Sequence, residues 1–426
     1  MPKTENYLGI DIGSTRVRAV MAQEISGEES LRVLGAVSVP SEGMRRGSVI
    51  DASAVSSSVA KAVSHAERMS GVSANVVGVS ISGTDIFCQK TLGVIAVSRP
   101  DGEVAEEDVE RAMAEVESRV MLPSNREVLH VIPKSYRLDD QKDIKDPVGM
   151  RGVRLEAEAF VVGTSMNQMK GFGRILDQVG IRPSFHAVEP LAAAEAVLSQ
   201  KQKELGVALV NIGGSTTSIT IYEEGELVHL SVLPVGGAHV TNDIALGLRV
   251  SIDIAEQVKL QYGTALPDTV GKREEIDLSR IDSRETESVS RHHVAEIIEA
   301  RMEEILVLVN LELAKCGREG LLPSGAVLTG GGALLPGTVE LAKNILRLPS
   351  HVGYPKPLGG ILDQVDSPDF STAVGLVLLA REGVGSHRNV AGIGFLADGA
   401  QKAIPDWMLS SGKKIKDWLR KFLPLD

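Results

Sequence analysis

Residues 207–222 read VALVNIGGSTTSITIY. An apolar run, Val207 to Val210, enters a turn at Gly213 and Gly214. A β-branched run through Thr216, Thr217, Ile219, Thr220 and Ile221 leaves it. The pattern predicts two strands joined by a tight glycine-rich hairpin. Glycine in such a turn lets backbone N–H groups approach a ligand with no Cβ in the way. Successive turn N–H groups form a nest suited to phosphate, and Ser215, Thr216 and Thr217 add hydroxyl donors. Alone, such a segment is better explained as an ordinary hairpin.

A second copy changes its meaning. Residues 8–20, LGIDIGSTRVRAV, repeat the form, with Asp11-Ile12-Gly13-Ser14 aligned on Asn211-Ile212-Gly213-Gly214. Two copies of one hairpin predict two related half-molecules facing each other across a cleft. A nucleotide held between two phosphate hairpins is the expectation.

The 426 residues are 43% hydrophobic, enough for two or more domains. A formal net charge of -11 argues against nucleic-acid binding by the body of the chain. The two cysteines, Cys88 and Cys316, lie far apart with no zinc-type spacing, which fits a reducing compartment. The first strand begins without an apolar signal-peptide core, and no apolar run reaches the ~18 residues of a membrane span.

In chain order, strands are expected at 31–40 and 76–82 around a helix at 51–69. Residues 83–163 change texture. Strand 86–97, helix 106–121, strand 127–137, a polar loop at 139–152 and strand 153–162 form an inserted β-α-β-β subdomain. A helix at 167–180, a strand at 181–188 and an Ala-rich helix at 189–200 lead into the second hairpin. Strand 227–234 follows, and Gly236 and Gly237 are expected to break the chain before a helix at 241–248. Helices at 251–262, 292–315, 336–346 and 371–381, and strands near 326–332 and 352–355, complete the body. Residues 383–403 read as a tether.

A third glycine cluster, Thr329-Gly330-Gly331-Gly332-Ala333, sits at a strand-to-helix switch. It is not a Walker A loop, because Thr338 stands where the lysine should be, and no GxGxxG follows a strand. Adjacent His292 and His293 point different ways on a helix and make a poor metal site. No GxSxG or HExxH occurs.

The order Asp11-Ile-Gly-Ser-Thr, Glu189-Pro-Leu-Ala, Asn211-Ile-Gly-Gly-Ser-Thr, Glu256-x-x-Lys259 and Thr329-Gly-Gly-Gly resembles the actin/Hsp70/sugar-kinase ATPase superfamily. Within it, Ser82-Gly83-Thr84, the run VLHVIP at 128–133, DPVG at 146–149 and Gly152-Val153-Arg154 are similar to the FtsA family of actin-like bacterial cell-division proteins. The resemblance spans essentially the whole chain. It implies a duplicated actin-like (ribonuclease H-like) α/β fold divided at 1–82, 83–163 (the insert), 164–203, 204–236, 237–311 and 312–382. A linker at 383–404 and an amphipathic helix at 405–426 follow.

The resemblance also implies roles. Gly13, Ser14, Thr15, Gly213, Gly214, Ser215 and Thr216 would hold the phosphates of ATP, with Arg16 where a basic residue pairs with them. Asp11 and Glu189, with Asn211, would orient Mg²⁺ through its waters. Glu256 and Lys259 would reach ribose and adenine, although their spacing alone reads as a surface pair. Gly331, Gly332 and Ala333 would line the base. One departure stands out: the second hairpin of the superfamily usually begins with Asp, and here Asn211 is neutral. Asn cannot accept a proton, so weak or absent hydrolysis is expected.

Both tryptophans lie in the last twenty residues. Ile415, Trp418, Leu419, Phe422 and Leu423 fall on one helical stripe. Lys413, Lys414, Lys416, Arg420 and Lys421 flank it, with Trp407 upstream. Such a helix is too polar to span and is expected to lie on anionic lipid. The family resemblance then implies a filament-forming protein on the cytoplasmic face of the inner membrane at the division site. It would bind the C-terminal tail of the tubulin-like protein FtsZ through residues 237–311 and recruit later division proteins. A PilM-type pilus-assembly protein would not need this tail. A phosphotransferase would need a carboxylate base where Asn211 stands, and an Hsp70-like chaperone would need more chain after Arg381.

Overall fold

A computed structural model describes residues 4–25, 31–120, 125–360 and 365–383, and the backbone of the strand Gly394–Phe395. The linker and terminal-helix expectations therefore lie outside the described residues, apart from that strand. Residues 1–396 form one unit.

The duplication is explicit in the two central sheets. In the first half, β1 (Glu5–Ile12), β2 (Arg16–Glu24) and β3 (Arg32–Pro40) form an antiparallel meander. On the other side of β1, β4 (Val76–Ile81) and then β8 (Phe185–Val188) add in parallel. The second half repeats this with β9 (Val207–Ile212), β10 (Thr217–Glu223) and β11 (Glu226–Leu233), followed by β12 (Ala326–Thr329) and β13 (Ser350–Val352). Even the turns match. Gly13 N–H donates to the Arg16 carbonyl at 3.1 Å and Gly213 N–H to the Thr216 carbonyl at 2.9 Å. Strands buried on both faces carry continuous apolar runs, as in β9, where only Asn211 is not fully buried.

Helices cover the sheets. α1 (Ala52–Ser70) is capped by Asp51, whose carboxylate accepts from the N–H groups of Ser53 and Ala54, and ends at Gly71 in the left-handed conformation. α4 (Glu189–Val197) and α9 (Ser371–Arg381) are almost wholly buried against one another between the halves. They approach so closely that a Cβ at Gly375 would lie 1.8 Å from the Ala192 carbonyl oxygen. On the second half, α5 (Gly237–Leu248), α6 (Ile252–Tyr262), the long α7 (Arg291–Lys315) and α8 (Thr338–Leu346) surround a second core.

The insert has its own sheet and core. β5 (Phe87–Ala96), α2 (Glu106–Arg119), β6 (Arg126–Leu138) and β7 (Arg154–Ser165) give the expected β-α-β-β order. β7 lies between β5 and β6, and α3 (Met166–Val179) follows directly.

Several expectations need correction. The polar loop at 139–152 contains a short strand, Gln141–Ile144, paired on β6. The Ala-rich helix stops at Val197 because Ser199 and Gln202 form a capping box for a separate helix, Gln200–Leu205. The strand sought at 352–355 is Ser350–Val352. The helix expected at 241 begins at Gly237, because Gly236 and Gly237 make close backbone contacts rather than break the chain. The presumed tether includes Gly394–Phe395, which pairs antiparallel with His130 and Val131 of β6.

Candidate functional site

The two hairpin turns face each other. A Cβ placed on Gly214 would lie 2.4 Å from Cγ2 of Thr15, so only glycine lets the second turn come this near the first. Behind the second turn, Gly237 N–H donates to the Gly213 carbonyl at 2.9 Å and Ala238 N–H to the Gly214 carbonyl at 2.7 Å. A Cβ on Gly236 would lie 2.5 Å from the Gly213 oxygen. The start of α5 therefore braces the hairpin that the sequence singled out.

Between the turns lies a pair of buried acids. Asp11, at the end of β1, and Glu189, at the start of α4, are 7% and 9% exposed. Burial, and then the negative charge of Asp11, pushes the Glu189 carboxyl up to about 7. Burial likewise raises Asp11, against the opposing pull of Arg18 and a hydrogen bond from Ser80. The Ser80 hydroxyl donates to Asp11 Oδ1 at 2.9 Å and accepts from Ile12 N–H at 3.0 Å. Asn211 Nδ2 donates to Glu189 Oε1, and the Ser218 hydroxyl donates to the same oxygen at 3.1 Å. Ser218, on β10, thus serves Glu189 as a donor.

This donor set fits a hydrated Mg²⁺. Two buried carboxylates confront one another, and Arg18, which acts on Asp11, is already paired with Asp369 at 2.6 Å. Among the described residues no cluster of three or more His, Cys, Asp or Glu forms a metal site, so an ion here would keep much of its water shell. Asn211 turns its amide N–H group to Glu189 and lays its Oδ1 against Gly330, where a Cβ would come within 2.1 Å.

The other expected residues divide. Lys259, on α6, is not a surface lysine. Its Nζ donates to the Gly237 carbonyl at 3.2 Å, Thr241 Oγ1 at 2.8 Å and Glu256 Oε2 at 2.7 Å. Glu256 and Lys259 are thus tied through Gly237 to the second hairpin. Gly331 and Gly332 follow β12 in a short 3-10 turn, Gly331 exposed and Gly332 packed against Ile212, while Ala333 is buried in the second core. Arg16 lies apart: its guanidinium donates to the Ser38 hydroxyl at 2.6 Å and the Ser38 carbonyl at 3.3 Å, on β3. Ser14 accepts from Gly47 N–H at 3.0 Å. Ser215, in the turn of the second hairpin, keeps a buried hydroxyl with no protein partner.

Sequence reasoning missed Ser80, Arg18, Asp369 and Thr241. Arg18 and Asp369 are 351 positions apart, and no local pattern signals their pairing. The Gly236-Gly237 pair was visible and could have been read as a second close approach.

Two mirrored sheets, facing glycine hairpins and a buried acid pair between them define an actin-like α/β protein carrying an insert. The family model for the cell division protein FtsA matches residues 208–375, and that for the SHS2 domain inserted in FtsA matches 83–163. The cell division protein FtsA of Pseudomonas aeruginosa is 36% identical over 393 residues, covering 92% of this chain and 93% of that protein. Among solved structures, the PilM–PilN type IV pilus biogenesis complex aligns with a TM-score of 0.63 at 17% identity, covering 87% of this chain and 97% of that one. MreB5 of Spiroplasma citri bound to ADP aligns at 0.51 and 14%, covering 88% and 96%. These likenesses share the fold. The chain belongs to the FtsA family of cell-division proteins, as its motifs imply.

Proposed function

We propose that this actin-like division protein binds ATP with Mg²⁺ between its two hairpins and turns it over slowly or not at all. Gly13, Ser14, Thr15, Gly213, Gly214, Ser215 and Thr216 hold the phosphates. Asp11 and Glu189 orient the ion through water, and Glu256, Lys259, Gly331 and Gly332 flank the nucleoside. Mg²⁺ supplies charge neutralisation at the phosphates. The observation that carries this reading is the approach of Thr15 to Gly214 over the buried Asp11–Glu189 pair. MreB5, on the same fold, is described with bound ADP.

Nucleotide binding then sets the shape of a filament that lies on the inner face of the membrane, anchored by residues 405–426. Residues 237–311 bind the FtsZ C-terminal tail, and the whole tethers FtsZ to the membrane at the division site and recruits later division proteins. Among the described residues no helix is long and apolar enough to cross a membrane. Co-sedimentation with an FtsZ C-terminal peptide, with and without anionic liposomes, tests the assignment. Peptide should pellet with the protein only when liposomes are present. Peptide that stays in the supernatant beside liposome-bound protein refutes the tether.

A further inference from the structure

The phosphate hairpin of the first half is joined to the insert by a short buried chain of hydrogen bonds centred on Gln168. The Ser14 hydroxyl accepts from Gly47 N–H at 3.0 Å. Its own proton remains to donate. Gly47 lies in the turn of a small hairpin, Met44–Arg45 with Ser48–Val49. The Gly47 carbonyl accepts from Gln168 Nε2 at 2.6 Å, and the same amide donates at 2.8 Å to the carbonyl of Ser82. Gln168 is 5% exposed, so both donors of its amide are committed out of water.

These contacts meet where the insert enters and leaves the body. Ser82 ends the core segment before Gly83, the first residue of the insert. Gln168 sits in the first turn of α3, directly after it. A Cβ on Gly47 would lie 2.3 Å from Gly83 Cα, so the two turns touch backbone to backbone. Gly47 and Gly83 adopt φ of +76° and +121°, conformations that glycine tolerates and side chains do not. The Ser165 hydroxyl accepts from Gln168 N–H at 3.2 Å and donates to Asp85 Oδ2 at 2.7 Å, closing the joint from the far side.

We propose that Gln168 is a positioning residue which, with Gly47, couples occupancy of the hairpin at Ser14 to the seating of the insert on the body. The proposal rests on the nucleotide reading given above. A phosphate that takes the Ser14 proton fixes that hydroxyl and, through Gly47, the carbonyl that anchors the Gln168 amide. The same amide holds the carbonyl of Ser82, so the joint responds. The coupling is reciprocal, and displacing the insert changes nucleotide affinity by the same factor.

The test uses the full chain. ATP binding to the wild type is measured first by calorimetry with Mg²⁺. Hydrogen exchange of peptides covering 82–86 and 164–170 is then followed with and without ATP. In the wild type ATP should slow exchange at both by about fivefold or more, the lower range of ordinary coupling between sites. Gln168→Leu should still bind ATP but lose that response. Gly47→Ala, which keeps Gln168 and wedges the turns apart, should lose it too, and serves if the first variant does not fold. Wild type that binds ATP with no change at the joint overturns the coupling alone, as does an undiminished response in both variants. Gln168→Leu that folds but cannot bind ATP assigns Gln168 to binding itself and overturns its role as a positioning residue. Wild type that binds no ATP overturns the nucleotide reading and the coupling with it.

Discussion

Glu189 gives the sharpest test of the proposed site, because its carboxyl is raised from 4.5 to about 7 by burial and by Asp11. A group with that value carries about half a proton near pH 7 in the ligand-free protein. A hydrated Mg²⁺ at Asp11 and Glu189 favours the ionised form, so binding of Mg²⁺–nucleotide expels what remains. About 0.5 proton should therefore be released per site near pH 7, and under about 0.1 near pH 8. Below pH 7 the apparent affinity should fall by up to about tenfold per unit, or about 1.4 kcal/mol, until the group is protonated in the complex as well. Calorimetry in two buffers of different ionisation enthalpy measures the release directly, with Mg²⁺ saturating so that the nucleotide itself stays deprotonated. Glu189→Gln keeps an acceptor for Asn211 and Ser218 but has no proton to lose, so the release should shrink to what the raised Asp11 carboxyl contributes. Heats independent of buffer in the wild type, or a release undiminished in the variant, would refute the assignment of Glu189 to the ion.

Three further outcomes follow from the same geometry. Gly330→Ala places a methyl 2.1 Å from Asn211 Oδ1 at a φ of +80°, and should lower stability by about 1–3 kcal/mol in thermal melts and weaken nucleotide binding with it. Arg18→Ala strands Asp369 and should cost about 3 kcal/mol in denaturant unfolding, part of it recovered in the double variant with Asp369→Ala. Burial opposes ionisation of Asp369, but Arg18 wins and holds it below the ordinary carboxylate range. The contribution of that pair is therefore complete above the unfolded carboxylate pKa and lost as pH falls through the folded one. Deleting residues 407–426 should abolish sedimentation with anionic liposomes and leave nucleotide affinity unchanged. Wild-type binding should weaken with salt, as expected if each basic residue contributes about 1 kcal/mol near the surface.

What could be read from the sequence was what is encoded within a dozen residues. Each hairpin declares itself through its own strands and turn, and the register Ile212 to Thr217 repeats that of Ile12 to Val17. The insert was legible for the same reason, because its long strands alternate. Gln141–Ile144 was not, since QKDI is charged and pairs only on the edge of β6. Gly236 and Gly237 were misread because glycine has two uses, and only tertiary contact distinguishes a break from a close approach to the Gly213 and Gly214 carbonyls. The acid pair was found residue by residue through resemblance. Its supporting partners, Ser80 and the Arg18–Asp369 pair, were not, because side-chain pairing across the fold leaves no periodic trace.

Asn211 shows how one neutral atom pair alters a site of this kind. Asp11 and Glu189 already repel across buried ground, and that repulsion helps hold Glu189 near neutrality. A carboxylate at 211 would place a third negative group against Glu189 Oε1, where the structure has an amide N–H donating to that oxygen. It would also turn a carboxylate oxygen toward Gly330. With Asn, the contact becomes a hydrogen bond that lowers the Glu189 pKa instead of raising it further. On the proposed reading, the same exchange leaves position 211 without a carboxylate that could accept a proton. Charge relief and loss of a base are therefore a single substitution, and on the proposed reading they favour a site that retains nucleotide over one that hydrolyses it.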